Sequence, residues 1–118
     1  METIASNGAP KAIGPYSQAV VSNGLLFTSG QIALDPATGE LVKGDFSAQA
    51  RRVFQNLGAV LKEAGSGFDR VLKATVYLTD LANFQTLNTI YAEYFGSHKP
   101  ARTTVGVKEL PKGAAVEI

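Results

Sequence analysis

The chain has 118 residues, and its eleven basic and ten acidic side chains leave a formal net charge of +1. This length predicts one domain, and a hydrophobic content of 45% is enough for a core. With no cysteine and a single histidine, disulfides, thiolate nucleophiles and multi-histidine metal centres are excluded. The near balance of charge argues against a dedicated nucleic-acid-binding protein, which usually carries a marked basic excess.

Neither a membrane segment nor a secretion signal is visible in the sequence. No run approaches the roughly 18 apolar residues that span a bilayer. Residues 1–10 lack both the basic region and the apolar region of a signal peptide. We therefore expect a cytoplasmic protein with no membrane partner. No cluster of carboxylates suggests a metal site either.

The first third of the chain predicts a β-hairpin followed by a loop. After a polar lead-in over residues 1–13, two strands are predicted over 16–21 and 25–29. Asn23-Gly24 between them is typical of a tight hairpin turn, because both residues tolerate positive φ. Residues 30–44 are punctuated by turn residues and contain one possible short strand at 41–42.

Two amphipathic helices follow, separated by a strand. The first shows apolar residues at intervals of three and four, with Asp45 or Ser47 as its N-cap and Gly65 after its end. Alternating apolar residues predict a strand over 70–79. A second helix is predicted from about Asn83 to Phe95.

Two short strands complete the chain, one from Arg102 to Val107 and one from Ala114 to Ile118. The order β-β-(β)-α-β-α-β-β indicates an α+β domain with a mixed sheet and both helices on one face. Two helices cannot cover both faces of such a sheet. We therefore expect the other face to be covered by another copy of the chain.

Arg102 and Glu117 are the candidates for chemistry. If the last two strands form an antiparallel hairpin, the two side chains come within reach of each other. A guanidinium binds a carboxylate through two parallel hydrogen bonds, and a glutamate can hold and deprotonate a water. Together they suit a small anionic substrate attacked by water. A plain cross-strand salt bridge explains the same pair, and the pattern alone favours it.

Several separated motifs resemble the reactive intermediate deaminases, the Rid or YjgF-like family. They are Ile13-Gly14-Pro15-Tyr16-Ser17-Gln18-Ala19, Thr28-Ser29-Gly30-Gln31-Ile32, Thr75-Val76-Tyr77-Leu78-Thr79-Asp80-Leu81, and the C-terminal set Pro100-Ala101-Arg102, Leu110-Pro111 and Val116-Glu117-Ile118. The resemblance runs from about Ile13 to Ile118. It implies a single chorismate-mutase-like domain over residues 1–118 and a homotrimer, in which three sheets form an inner barrel with helices outside.

The resemblance also implies an activity and a set of site residues. RidA-type members hydrolyse 2-enamino and 2-imino acids, such as 2-aminoacrylate and its imine, to 2-keto acids and ammonia, in clefts between subunits and without a cofactor. The carboxylate-binding arginine of the family falls on Arg102, its water-positioning glutamate on Glu117, and its substrate-contacting tyrosine on Tyr16. Backbone contacts to substrate fall at Gly30 and at Thr104, where many members carry cysteine.

Other functions remain open at this point. Members of the family have been described as ribonucleases or translation inhibitors, as chaperones and as ligand-binding regulators. The lack of a basic stripe argues against RNA as the main substrate. A regulatory binder of small acids would use the same Arg102 without needing Glu117. Family members commonly continue several residues past the position of Ile118, so we also expect a shortened last strand.

Overall fold

A computed structural model describes all residues from 1 to 118. The regular elements, in chain order, are β1 Glu2–Ile4, β2 Ala19–Ser22, β3 Leu25–Thr28, α1 Phe46–Glu63, β4 Lys73–Leu78, α2 Phe84–Phe95, β5 Ala101–Gly106 and β6 Val116–Glu117. The α+β class and the two helices agree with the sequence-based expectation. No helix is both long enough and apolar enough to cross a lipid bilayer.

The first sheet is antiparallel, with the order β1-β2-β3. The predicted hairpin is confirmed, since Asn23 and Gly24 take φ values of 52° and 76° between β2 and β3. Strand β1 was not predicted. It pairs Ile4 with Ala19, and Ile4 is its only buried residue. A three-residue strand with one buried side chain offers no alternation to detect.

Helix α1 begins and ends where the sequence indicates. The Asp45 carboxylate accepts a hydrogen bond of 2.9 Å from the Ala48 N–H, which caps the first turn. Gly65 follows the helix with a φ of 74°, a conformation that glycine adopts without strain. The possible strand at 41–42 reduces to a single bridge between Leu41 and Leu34.

The second sheet has the order β5-β4-β6, so the predicted hairpin between the last two strands is wrong. Strands β4 and β5 are parallel because α2 connects them as a crossover helix. The chain then needs residues 107–115 to pass to the other side of β4, where β6 pairs antiparallel with it. The β-α-β order of β4, α2 and β5 already indicates a parallel pair. The short spacing between the last two strands nevertheless favoured a direct hairpin between them.

One residue pair joins the two sheets. The Gln31 N–H donates to the Ile118 carbonyl at 2.9 Å, and the Ile118 N–H donates to the Gln31 carbonyl at 3.1 Å. This reciprocal pair aligns the segment after β3 with the end of β6 in antiparallel fashion. The single mixed sheet expected from the sequence is therefore two three-stranded sheets connected at one point.

Both helices pack on one side of the molecule, and the opposite side lacks a cover. The core joins α1, α2, β4 and β6, and its largest buried side chain is Phe54. On the side of the sheets without helices, Leu25, Phe27 and Val105 are 46%, 62% and 38% exposed. Exposed apolar side chains grouped on one face are typical of a surface that contacts another protein.

Phe54→Ala should destabilise the protein by about 3–5 kcal/mol, because it leaves a cavity among aromatic rings. Phe54 is fully buried and packs against Phe68, Tyr91, Tyr94 and Phe95. Urea denaturation at a fixed protein concentration measures the loss. Glu63→Ala, on the exposed end of α1, is the control and should change stability by less than about 0.5 kcal/mol. Equal effects of the two variants would contradict this description of the core.

Candidate active site

Glu117 lies directly above the backbone of Gly30. A methyl group at position 30 would stand 2.9 Å from the Glu117 Cδ and closer still to Oε1. Only glycine leaves room for the carboxylate there. The Gln31–Ile118 pair is antiparallel, so Gly30 and Glu117 lie diagonally on the same face, and the long glutamate side chain reaches over Gly30. The structure thus brings together two of the residues singled out in the sequence.

Tyr16 borders the same cleft, which has a volume of about 360 Å³. Its ring is half exposed, and its Oη accepts a hydrogen bond of 3.4 Å from the Ile13 N–H. The N–H of Gly30 makes no hydrogen bond within the chain. Lys11 and Lys112 also line this cleft and are the other charged residues there. The cleft therefore offers a carboxylate, a phenol and a free amide donor.

Burial raises the pKa of the Glu117 carboxyl group above its ordinary value. Desolvation is the cause, because it disfavours the charged form. No hydrogen-bond donor or cation of the same chain compensates for the lost water. A carboxyl group in this state exchanges protons closer to neutral pH than an exposed glutamate does, which suits it to acid–base chemistry.

Arg102 lies elsewhere, on the side of the sheet covered by α2. Its Nη1 donates to the Asn88 Oδ1 at 2.8 Å, and its guanidinium lies 4.8 Å from the centre of the Tyr91 ring and 5.5 Å from that of Phe84. These contacts fix the plane of the guanidinium without neutralising its charge. No carboxylate of the chain pairs with Arg102.

Asn88 was not among the sequence-based candidates. A single asparagine within an amphipathic helix carries no sequence pattern that distinguishes it from a solvated side chain. Its contact with Arg102 depends on the crossover that places α2 over β5, and the hairpin assumed from the sequence did not include that arrangement. Only the three-dimensional register shows it.

Thr104 lies two residues from Arg102 on the same edge strand. The N–H groups of Ala101 and Val107 donate to the carbonyls of Leu72 and Leu78, so alternate residues of β5 face β4. The N–H of Thr104 points the other way, to the open edge of the sheet. Its Oγ1 is buried without a hydrogen-bond partner, as is the Tyr91 hydroxyl. The edge beside Arg102 therefore has unused donors.

The structure does not bring Arg102 and Glu117 together within one chain. Arg102 is in register with Ala74, and Glu117 with Tyr77, so three residues and two strand spacings separate their Cα atoms by about 14 Å. Their side chains also leave opposite faces of the sheet, because positions 74 and 77 differ by an odd number. The direct pairing expected from the sequence and the cross-strand salt bridge are both wrong within the chain.

Comparison with known proteins identifies the family of the chain. The sequence model of the family described as Endoribonuclease L-PSP matches residues 6–118. The chain belongs to this family, which includes the RidA and YjgF proteins. A human relative named 2-iminobutanoate/2-iminopropanoate deaminase is 47% identical over 115 residues, which are 98% of this chain and 84% of that protein. The resemblance drawn from the sequence motifs is therefore confirmed.

Further relatives extend the similarity over the whole chain. A RutC family protein of Pyrococcus horikoshii is 51% identical over 117 residues, or 99% of this chain and 93% of that protein. The crystal structure of the YjgF gene product from E. coli superimposes with a TM-score of 0.93 at 42% identity, covering 99% of this chain and 94% of that one. The fold described above is thus the fold of this family.

Gly30→Ala should displace the Glu117 carboxylate while changing stability by less than about 1 kcal/mol, because the flexible end of the glutamate can move into water. The pKa of Glu117 should then fall toward its ordinary value, since the cause of its rise is lost. A ¹³C NMR titration of the glutamate carboxyl groups measures the change.

Gly96→Ala is the matched control for this substitution. Gly96 has a φ of 62° and an open surrounding, so alanine there costs about 1–3 kcal/mol of backbone strain. A methyl group at position 96 would meet no atom within 4 Å, so it touches nothing of Glu117. The control should therefore lose stability and keep the Glu117 titration. An unchanged titration in Gly30→Ala would show that the glycine does not hold the carboxylate in place.

Proposed function

We propose that this protein is a hydrolytic deaminase that converts 2-enamino and 2-imino acids to 2-keto acids and ammonia. The observation that carries the proposal is a pair of charged groups without partners. Glu117 is a partly desolvated carboxyl group against the backbone of Gly30, whose N–H is free, and Arg102 is a fixed guanidinium that pairs with no carboxylate. The name of the human relative supports the same reaction.

We further propose that the site forms between copies in a homotrimer. The separation of Arg102 from Glu117 means that one chain cannot bind a small substrate with both. Two features of the chain support a second copy: the open edge of β5 next to Arg102, and the exposed apolar side chains on the face without helices. A cleft with Glu117 from one copy and an edge with Arg102 from the next would together hold one small acid.

In this site Arg102 binds the substrate and Glu117 transfers protons. Arg102 binds the substrate carboxylate through two parallel hydrogen bonds, and the outward N–H of Thr104 adds a third donor. Tyr16 packs against the substrate from the opposite side. Arg102 and Thr104 together orient the imine carbon C2 toward Glu117. Orientation of this kind replaces a bimolecular encounter by an attack within one complex.

Glu117 then transfers protons in both directions. As its carboxylate takes a proton from water, the water oxygen bonds to C2, the π bond between C2 and nitrogen breaks, and the proton passes from Glu117 to that nitrogen. The carboxylate next takes the hydroxyl proton of the resulting carbinolamine and delivers it to the amino group. The C2–N bond breaks, ammonia leaves, and the carbonyl forms. A raised pKa serves both directions, because it brings the acid form of the carboxyl group closer in free energy to the base form.

A binding protein for small acids is the alternative, and the two residues separate it from an enzyme. Binding needs Arg102 alone, whereas turnover also needs the proton transfers at Glu117. The desolvated state of Glu117 favours the enzyme, since burying an unpaired carboxyl group contributes nothing to the binding of an anion.

The assembly is tested by sedimentation velocity at micromolar concentration. We expect a single species of about three times the chain mass. The apolar residues Leu25, Phe27 and Val105 should become protected from solvent in it. A monomer that nevertheless deaminates its substrate would contradict a site shared between copies.

Arg102→Ala should lower kcat/KM about 30- to 1,000-fold, equivalent to about 2–4 kcal/mol, with the assembly intact. Arg102→Lys should be nearly as harmful, because an ammonium group lacks the planar fork. The rate is measured with 2-aminoacrylate generated in situ. Arg51→Ala, which removes the exposed ion pair with Glu93, is the control and should keep full activity. Full activity of Arg102→Ala would leave the arginine a structural residue.

Glu117→Gln should reduce turnover about 10²- to 10⁴-fold and still bind a keto acid such as pyruvate. The amide keeps the shape but accepts no proton, so the loss falls on the transition state. Calorimetric affinity for pyruvate and the deamination rate are compared on one preparation. An unchanged rate would exclude Glu117 from catalysis and favour the binding protein. Equal losses of affinity and rate would point to a structural role.

A further inference from the structure

Asn56 on α1 is the only fully buried polar side chain of the protein, with 0% exposure. Its Nδ2 donates to the carbonyls of Ile32 at 3.2 Å and Leu34 at 3.0 Å. Its Oδ1 accepts a hydrogen bond of 3.0 Å from the Arg52 Nε. Every hydrogen of the amide group is therefore directed at the loop that follows Gly30.

This loop is attached to the rest of the protein on both sides of Gly30. Before Gly30, the Ser29 N–H donates to the Gln18 carbonyl at 2.9 Å, and the Ser29 hydroxyl donates to the Ser17 carbonyl at 2.6 Å. After Gly30 come the Gln31–Ile118 pair and the two bonds from Asn56. Gly30 is left between these attachments with its N–H unpaired and the Glu117 carboxylate above it.

We infer that Asn56 is a positioning residue for the active site. By holding the carbonyls of Ile32 and Leu34, it sets the path of the loop, and the loop sets the distance between the Gly30 N–H and the Glu117 carboxylate. Asn56 itself lies on the core side of the loop and touches no substrate. Its effect on catalysis passes through the Gln31–Ile118 pair, which is the next attachment along the loop.

The positioning role depends on the two hydrogen bonds that the Asn56 Nδ2 donates to the loop. Substitutions can remove these bonds while keeping the volume of the side chain. Asn56→Asp keeps the volume and the partner of Arg52 but presents oxygen instead of N–H to the two carbonyls. Asn56→Ala removes the donors without adding a charge, and it serves if the aspartate variant fails to fold. Arg52→Met removes only the third bond. Leu87→Ala, at a fully buried position on α2, is a core control that removes buried volume but no hydrogen bond of the loop.

The kinetic readout rests on the proposed deaminase function. Asn56→Asp and Asn56→Ala should lower kcat about ten- to a hundredfold with little change in KM, because a displacement of about 1 Å at reacting groups has effects of this size. Arg52→Met and Leu87→Ala should keep kcat. If both Asn56 variants keep the wild-type kcat, the positioning role is overturned, and Asn56 only stabilises the fold.

A second readout does not depend on turnover. In the Asn56 variants the amide signal of Gly30 should shift in ¹H–¹⁵N spectra, and the pKa of Glu117 should fall toward its ordinary value as water enters the loosened cleft. Leu87→Ala should leave both unchanged. If the wild type fails to deaminate but these shifts appear, the proposed function fails and the positioning role stands. Unchanged spectra in folded Asn56 variants would refute the positioning role.

Discussion

The reciprocal hydrogen bonds between Gln31 and Ile118 are the connection on which the site depends. They are the one pair of backbone hydrogen bonds that links the segment after β3 to the end of β6, and they lie next in sequence to both Gly30 and Glu117. Since register in a sheet is fixed in steps of one residue, a shift at this pair would turn Glu117 to the opposite face. The buried amide of Asn56 supports the same loop from the core side. The carboxylate is thus held by backbone geometry, with no ion pair to fix it.

A second constraint follows from the order of the strands. Because α2 forces β4 and β5 to be parallel, Arg102 faces the helices while Glu117 faces away from them. Each residue remains without an opposite charge in its own chain. An unneutralised arginine fixed on aromatic rings and a desolvated carboxyl group are both costly to maintain in isolation. If neighbouring copies share one anionic substrate, the Arg102 guanidinium binds its carboxylate and the Glu117 carboxyl group transfers its protons.

The local elements of the fold could be predicted from the sequence, and their connections could not. The turn at Asn23-Gly24 and the ends of α1 at Asp45 and Gly65 depend on neighbouring residues only, so their patterns were sufficient. Strand β1 depends on its pairing with β2, and the position of β6 depends on a crossover of residues far apart in the chain. Such long-range pairings leave no periodic signal.

In the candidate site, too, some residues could be identified from the sequence and others only from the structure. The family resemblance identified Tyr16, Gly30 and Glu117, and the structure places these three around one cleft. The role of Arg102 as an anion-binding group stays a prediction, and its expected position beside Glu117 came from the wrong hairpin. Asn88 was missed because its contact with Arg102 exists only once α2 lies over β5.

Mixing two inactive variants tests whether Arg102 of one copy and Glu117 of the next serve the same site. Arg102→Ala and Glu117→Gln chains are unfolded together in equal amounts, refolded and assayed for deamination. A site shared between neighbours is intact when one copy supplies Arg102 and the next supplies Glu117, so about a quarter of the wild-type activity should return. If the mixture stays as inactive as the two separate variants while forming mixed assemblies, the shared site is contradicted.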